Sequence, residues 1–151
     1  MNEILKKISE NYWLHIDATD LVVGRLAAEI SKILRGKNNC NYTPNKLGEN
    51  FVVITNAKKI KFTGSKMQNK QYFRHTGYPG GIKSKTPEQL LQTKPEQILK
   101  LAVKRMLPGG PLAKKQLTKL KIYPTESHPH KSQNLKNFDF GKLNRKNKTN
   151  N

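Results

Sequence analysis

Cysteine is almost missing from this chain. Cys40 stands alone, which excludes an intramolecular disulfide and any paired-cysteine zinc or redox motif, and a lone thiol suits a reducing interior. Carboxylates are scarce as well, with 10 Asp and Glu against 29 Lys and Arg. No two of the ten are adjacent and no serine sits in a Gly-x-Ser-x-Gly elbow, so no acid/base or nucleophilic constellation is visible. Catalytic residues can still converge in space, which keeps a nucleotide hydrolase on an α/β scaffold as a competing reading. Long apolar runs are lacking: nothing approaches the roughly 20 residues of a membrane span. The opening "MNEILKKISENYW" has the pattern of neither a signal peptide nor an arginine-rich, acid-free transit peptide, so the protein is expected to act where it is made.

What is abundant is positive charge, and it is unevenly placed. Residues 1–56 carry 7 basic and 6 acidic side chains, net +1, whereas residues 57–151 carry 22 and 4, net +18. Such an excess repels itself in a free globular protein, while an RNA or DNA backbone neutralises it and is bound through release of its counterions. The second part of the chain is therefore expected to face a polyanion. With 34% apolar residues in 151, the length allows one domain with a modest core and a very polar surface.

Three regions follow from the pattern: a loosely held leader over 1–11, a folded domain over 12–131, and an Asn/Lys-rich tail over 132–151. The tail holds too few apolar residues to pack by itself, so it is expected to be disordered or ordered by a partner. "WLHID" at 13–17 alternates as a strand does. In the stretch 23–35, Leu26, Ile30, Ile33 and Leu34 fall on one helical face, with Gly36 as the stop. "FVVIT" at 51–55 is a continuous apolar, β-branched run of the kind buried on both faces in a parallel sheet. Strand, helix, strand in this order is a βαβ unit and favours an α/β fold.

"KIKFTG" predicts a further short strand ending at Gly64, and "KQYFRHTG" another extended piece. "TPEQLLQT" and "KPEQILKLAVKRML" are two consecutive helix starts with proline in the first turn. Thr86 with Gln89, and Thr93 with Glu96, are candidate capping boxes. In the longer helix Ile98, Leu99, Ala102, Val103, Met106 and Leu107 form the expected core face. A short helix over 112–120 and an extended "KIYP" follow.

Two Pro-Gly-Gly loops raise the question of phosphate binding. "GYPGGIKS" at 77–84 misses the mononucleotide-binding pattern, because three residues rather than four separate the outer glycines and Ile82 stands between Gly81 and Lys83. "PGGPLAKK" is further off, since Pro111 removes a backbone donor. His15, His75, His128 and His130 make no recognisable zinc spacing with the acids or with Cys40. No cofactor, metal or small-molecule substrate is expected. His15 is expected to be packed or hydrogen-bonded inside the first strand.

Short lysine clusters remain: Lys58-Lys59-Ile60-Lys61, Lys83/Lys85, Lys104/Arg105, Lys114/Lys115 and Lys119/Lys121. They are interleaved with Phe62, Tyr72, Phe73, Tyr78 and Tyr123. Cations neutralise phosphates and aromatics stack on bases or fill a core; for each aromatic, core packing is the expected role. No DNA-reading signature is present, and a protein that coats nucleic acid without preference is a third reading.

Over about 13–130 the chain resembles the L-thirteen family of large-subunit ribosomal proteins. The matching pieces are "DAT" at 17–19, "GRLA" at 24–27, "LRGK" at 34–37, "YTP" at 42–44, "NA" at 56–57, "TGSK" at 63–66, "HTG" at 75–77 and "GGIK" at 80–83, then "AVKRMLP" at 102–108, "GPL" at 110–112 and "HPH" at 128–130. Each is weak alone; their order and spacing together are specific. Arg105 and Ala113 stand where that family often has glycine.

The resemblance implies a single three-layer α/β/α domain around a small, mainly parallel sheet, with extended basic loops. It implies a non-enzymatic constituent of the large subunit, in a bacterial cytoplasm or an organelle, with large-subunit rRNA and neighbouring ribosomal proteins as partners and no membrane. Arg74, His75, Lys83, Lys104, Arg105, Lys114 and Lys115 become the leading RNA contacts. Arg35, Lys37, Lys58, Lys66, Lys85, Lys119, Lys121, His128 and His130 are further candidates.

Overall fold

The computed structural model describes residues 13–40 and 42–149; the expected leader over 1–11 lies outside them. Strand β1 (Trp13–Asp17) leads through a tight turn into helix α1 (Val23–Arg35), and the chain returns as β2 (Phe51–Thr55), parallel to β1 with Leu14 opposite Val52 and Ile16 opposite Ile54. This is the expected βαβ unit. The apolar stripe of α1 buries Leu26, Ile30, Ile33 and Leu34 completely, and Gly36 ends the helix in the left-handed region at φ 77°. The loop that follows crosses back over the helix end so closely that a Cβ on Gly48 would lie 2.6 Å from the Leu34 carbonyl oxygen. Only glycine fits there.

After β2 the predicted strand in "KIKFTG" does not form. Asn56, itself left-handed at φ 57°, turns the chain into a 3-10 turn, Ala57–Lys59. The free edge of β2 is taken instead by β5 (Leu120–Ile122). Lys61 makes only an isolated bridge to Val22, its amide donating to Leu21 and its carbonyl accepting from Val23. A short helix α2 (Lys66–Asn69) precedes an antiparallel hairpin of β3 (Tyr72–His75) and β4 (Ile82–Lys85), which lies outside the main sheet.

Helices α3 (Pro87–Thr93), α4 (Pro95–Met106) and α5 (Pro111–Thr118) follow. The Thr86/Gln89 capping box is present, with the Gln89 amide and side chain each bonded to Thr86. The Thr93/Glu96 box is absent: Thr93 is still the last residue of α3 and its hydroxyl donates back to the Gln89 carbonyl at 2.8 Å. Ile98, Leu99, Val103 and Leu107 of the predicted α4 stripe are buried, but Met106 is 42% exposed, because it borders an open hollow between the end of α4 and the start of α1.

The main sheet is parallel throughout, in the order β5-β2-β1-β6, where β6 is Lys136–Asn137. One face, through Leu14, Ile16, Val52 and Ile54, meets α1 and α4 in a single core. Burying such side chains stabilises a fold by roughly 1.5–3 kcal/mol each. The other face carries Trp13, His15, Phe51 and Thr55, and is covered by the segment from Tyr123 to a 3-10 turn at His130–Ser132.

The expected tail is docked on this body. Phe138 donates its amide to the His15 carbonyl at 2.8 Å, and Phe138 and Phe140 are buried in the core shared with α1. Helix α6 (Phe140–Leu143) and a 3-10 turn (Arg145–Asn147) then bring Asn147 under the start of α1, where its carbonyl accepts from the Val22 amide. The segment is too polar to build a core alone. Two phenylalanines suffice to join one that already exists.

Candidate nucleic-acid interface

The hairpin has two unlike faces. Directly opposed residues of an antiparallel pair share a face, so Tyr72 with Lys85 and Arg74 with Lys83 lie together, while Phe73 with Ser84 and His75 with Ile82 lie on the reverse. Tyr72 alone is buried and anchors the hairpin at its base; burial raises its phenol pKa, and the nearby Arg105 charge opposes that rise. Phe73, Tyr78 and Ile82 are 65%, 77% and 66% exposed. The expectation that every aromatic packs the core therefore fails for Phe73 and Tyr78, because a two-stranded ribbon has no second layer to cover its outer face.

The tip is closed by bonds among its own residues. Thr76 and Gly81 close it through an amide-to-carbonyl bond of 2.9 Å, the Gly81 amide donates to Tyr78 at 2.9 Å, and the Gly77 amide donates to His75 Nδ1 at 3.0 Å. Gly77 and Gly80 have positive φ, and a Cβ on Gly81 would collide with Thr76. The first Pro-Gly-Gly loop is thus a hairpin tip that turns its amides on itself. The second joins α4 to α5, with Gly110 at φ 101° and Pro111 in the first turn of α5.

Beside the hairpin two depressions open. One, of about 750 Å³, is rimmed by Arg74, Lys83, Lys85, Lys94, Lys100 and Lys104 over a floor that includes Leu90, Leu101 and Leu117. The other, of about 400 Å³, lies between the start of α1 and the end of α4 and includes Arg25, Lys61, Lys66, Lys70 and Arg105. Tyr72 and Leu101 line both. No Asp or Glu among the described residues lines either one. Of these cations Lys61 is held by Asp20 at 3.0 Å, and Lys66 reaches the Thr63 hydroxyl at 3.4 Å.

Arg74, Lys83, Lys85, Lys66, Lys104 and Arg105 of the predicted contacts are brought together here, and His75 stands on the outer hairpin face. Lys114 and Lys115 are exposed on α5, and Lys58 is exposed in the turn after β2. Sequence reasoning missed Arg25, Lys70, Lys94 and Lys100. Each stands outside the tight lysine clusters, so only the meeting of four elements places them on one surface.

Of the other candidates, Lys119 and Arg35 are engaged within the protein. The Lys119 ammonium donates to the Gly48 carbonyl at 2.6 Å and lies 4.8 Å from the centre of the Phe51 ring; burial lowers its pKa, against the pull of Glu49. Arg35 reaches the Tyr42 hydroxyl at 3.4 Å, with Lys37 exposed beyond it. Lys121 is half-buried in β5.

His15, His128 and His130 cluster on the back face of the sheet. His130 Nε2 lies 2.8 Å from the Tyr123 hydroxyl, and its ring packs against Trp13, which stacks on Phe51 at 4.5 Å. His15 bonds to Asn137 Oδ1 at 2.9 Å and to the Thr55 hydroxyl at 3.0 Å, as expected for a bonded strand histidine. His128 packs between His15 and Tyr123. Its pKa is lowered by burial and by His15, His130 and Lys131, and its Nδ1 is buried without a partner among the described residues. No group of three metal-ligating side chains occurs among the described residues.

A model of the ribosomal protein L13 family matches residues 11–129. A protein from Neorickettsia sennetsu named large ribosomal subunit protein uL13 is 53% identical over 140 residues, covering 92% of each chain. Proteins of the same name are 49% identical over 144 residues in Wolbachia pipientis from Culex pipiens, covering 95% of each chain, and 46% identical over 147 residues in Bartonella tribocorum, covering 97% of this chain and 92% of that one.

Proposed function

The chain belongs to the ribosomal protein L13 family, and on that premise we propose that it is a structural, non-enzymatic constituent of the large ribosomal subunit that holds rRNA and supports subunit assembly. Its place is the ribosome of a bacterial cytoplasm, the setting of the relatives named above. Neighbouring large-subunit proteins are its other partners.

The observation that carries the RNA reading is the cationic surface formed by the hairpin, α4 and the start of α1, whose two hollows are lined by no Asp or Glu among the described residues. A carboxylate beside these cations would satisfy them, as Asp20 does Lys61; the contacts named next have no such partner among the described residues and are left for phosphates. The contacts are Arg74, His75, Lys83, Lys85, Lys66, Lys104 and Arg105 around the hairpin, with Lys114 and Lys115 on the neighbouring helix. A folded RNA backbone neutralises them and releases counterions, so affinity falls steeply with salt. For six to ten phosphate contacts the loss is about 10³–10⁵ between 50 and 200 mM salt. Binding of the full chain to large-subunit rRNA, measured across that range, tests this; a flat response overturns phosphate contact. Lys114→Glu with Lys115→Glu should weaken the same binding with no change in fold, and unaltered affinity removes α5 from the interface.

A further inference from the structure

We propose that the two basic depressions form one continuous trough, and that its ligand is an unpaired stretch of RNA whose backbone passes directly over Gly24 in the first turn of α1. The inference rests on the rRNA-binding reading above and adds to it the kind of RNA and its path.

Continuity comes from Tyr72 and Leu101, which line both depressions. Arg25, Lys66, Lys70 and Arg105 border one end, and Lys83, Lys85, Lys94 and Lys100 the other. The floor between these rims is apolar, with Leu90, Leu101 and Leu117 beneath the larger end. A duplex presents a convex cylinder of phosphates with its bases stacked inside, and it can touch only the rims of hollows of about 400 and 750 Å³. A single strand can lay phosphates along the rims and turn bases or riboses onto the floor.

Gly24 supplies the independent observation. Its backbone is helical with no positive φ, and, apart from its chain neighbours and the backbone of its own helix, no atom of the described residues lies within 4 Å of where its Cβ would be. Neither packing nor conformation requires glycine there, and glycine weakens a helix relative to almost any other residue. What the missing side chain provides is open space on the wall of the smaller hollow, which Gly24 lines. Gly36 and Gly48, by contrast, are explained by the fold itself.

The test uses the full chain, a mixed-sequence single-stranded octaribonucleotide and the same octamer as a duplex, with affinities read by fluorescence anisotropy at one salt concentration. The single strand should bind at least about tenfold tighter than the duplex. Gly24→Gln should leave the thermal midpoint unchanged or raised and weaken single-strand binding by about fivefold or more. Lys131→Glu, likewise at an exposed site but away from the trough, should have a smaller effect than Lys100→Glu. Equal or tighter duplex binding overturns the proposal, as does a stable Gly24→Gln variant of full affinity. If Gly24→Gln does not fold, the Lys100/Lys131 comparison decides, and equal losses overturn it. A wild-type chain that binds large-subunit rRNA yet prefers duplex sinks this inference alone, whereas no binding to that rRNA sinks the function itself.

Discussion

The two faces of this molecule use the same residue types to opposite ends. On the hairpin side Arg74, Lys83, Lys100 and Lys104 surround hollows lined by no carboxylate among the described residues. On the back of the sheet Lys119, His15 and His130 are each held by a carbonyl, hydroxyl or amide of the protein itself. A count of basic residues treats both alike. What separates them is whether a cation already has a partner, since one that leaves an internal partner for a phosphate gains only the difference.

The largest expected effect breaks the core between the sheet and α1. Phe138→Ala removes a buried ring that pins the C-terminal segment, and should cost about 3–5 kcal/mol in a denaturant titration. Binding to rRNA under conditions where the variant stays folded should change little. If it falls in parallel with stability, the hairpin surface is not separate from the core that holds the C-terminal segment.

Charge reversal of Lys83 and Lys104 together probes the opposite side. Exchanging two phosphate-neutralising ammonium groups for two repelling carboxylates should weaken rRNA binding by about a hundredfold, with a shallower salt slope and an unchanged melting temperature. A milder contrast is Lys119→Met. Because its ammonium is bonded to Gly48, this change should lower stability by about 1 kcal/mol and leave the salt slope intact; a reduced slope would return Lys119 to the interface.

The smallest effect is a pH dependence of the histidine face. His128 has a pKa below the ordinary 6.5 in the folded protein, so the unfolded chain binds its proton first as pH falls. The stability tied to neutral His128 is complete above about 6.5 and declines below it. The thermal midpoint should drop between pH 7.5 and 5.5, and His128→Gln should flatten that part of the profile. Asp17 acts lower still: burial raises its carboxyl pKa, but bonds from Asn56 and Thr19 outweigh this and hold it below 3.8, so its contribution is lost only as pH falls through that acid range.

Much of the fold was legible because it is written locally. The alternation of "WLHID", the stripe Leu26, Ile30, Ile33, Leu34 and the run "FVVIT" each encode one element and which side it buries. The Thr86/Gln89 cap is likewise local, a bond across three residues. The strand wrongly expected in "KIKFTG" shows where this stops: its extended pattern was sound, but the edge it needed had gone to Leu120–Ile122, some sixty residues on. The tail escaped for a related reason, because Phe138 and Phe140 pack only on a core made elsewhere.

By itself the sequence determined the βαβ start, the helix faces, the polyanion-facing charge of the second part and the family. Local periodicity and net charge do not depend on where distant residues land. Tertiary structure alone decided which cations remain open to a ligand. Lys119 and Lys100 are indistinguishable as letters; one is folded against Gly48 and Phe51, and the other stands over an apolar hollow with no acid among its described lining residues. A charge acquires its role from its nearest partner, and that partner is chosen only when the chain closes on itself.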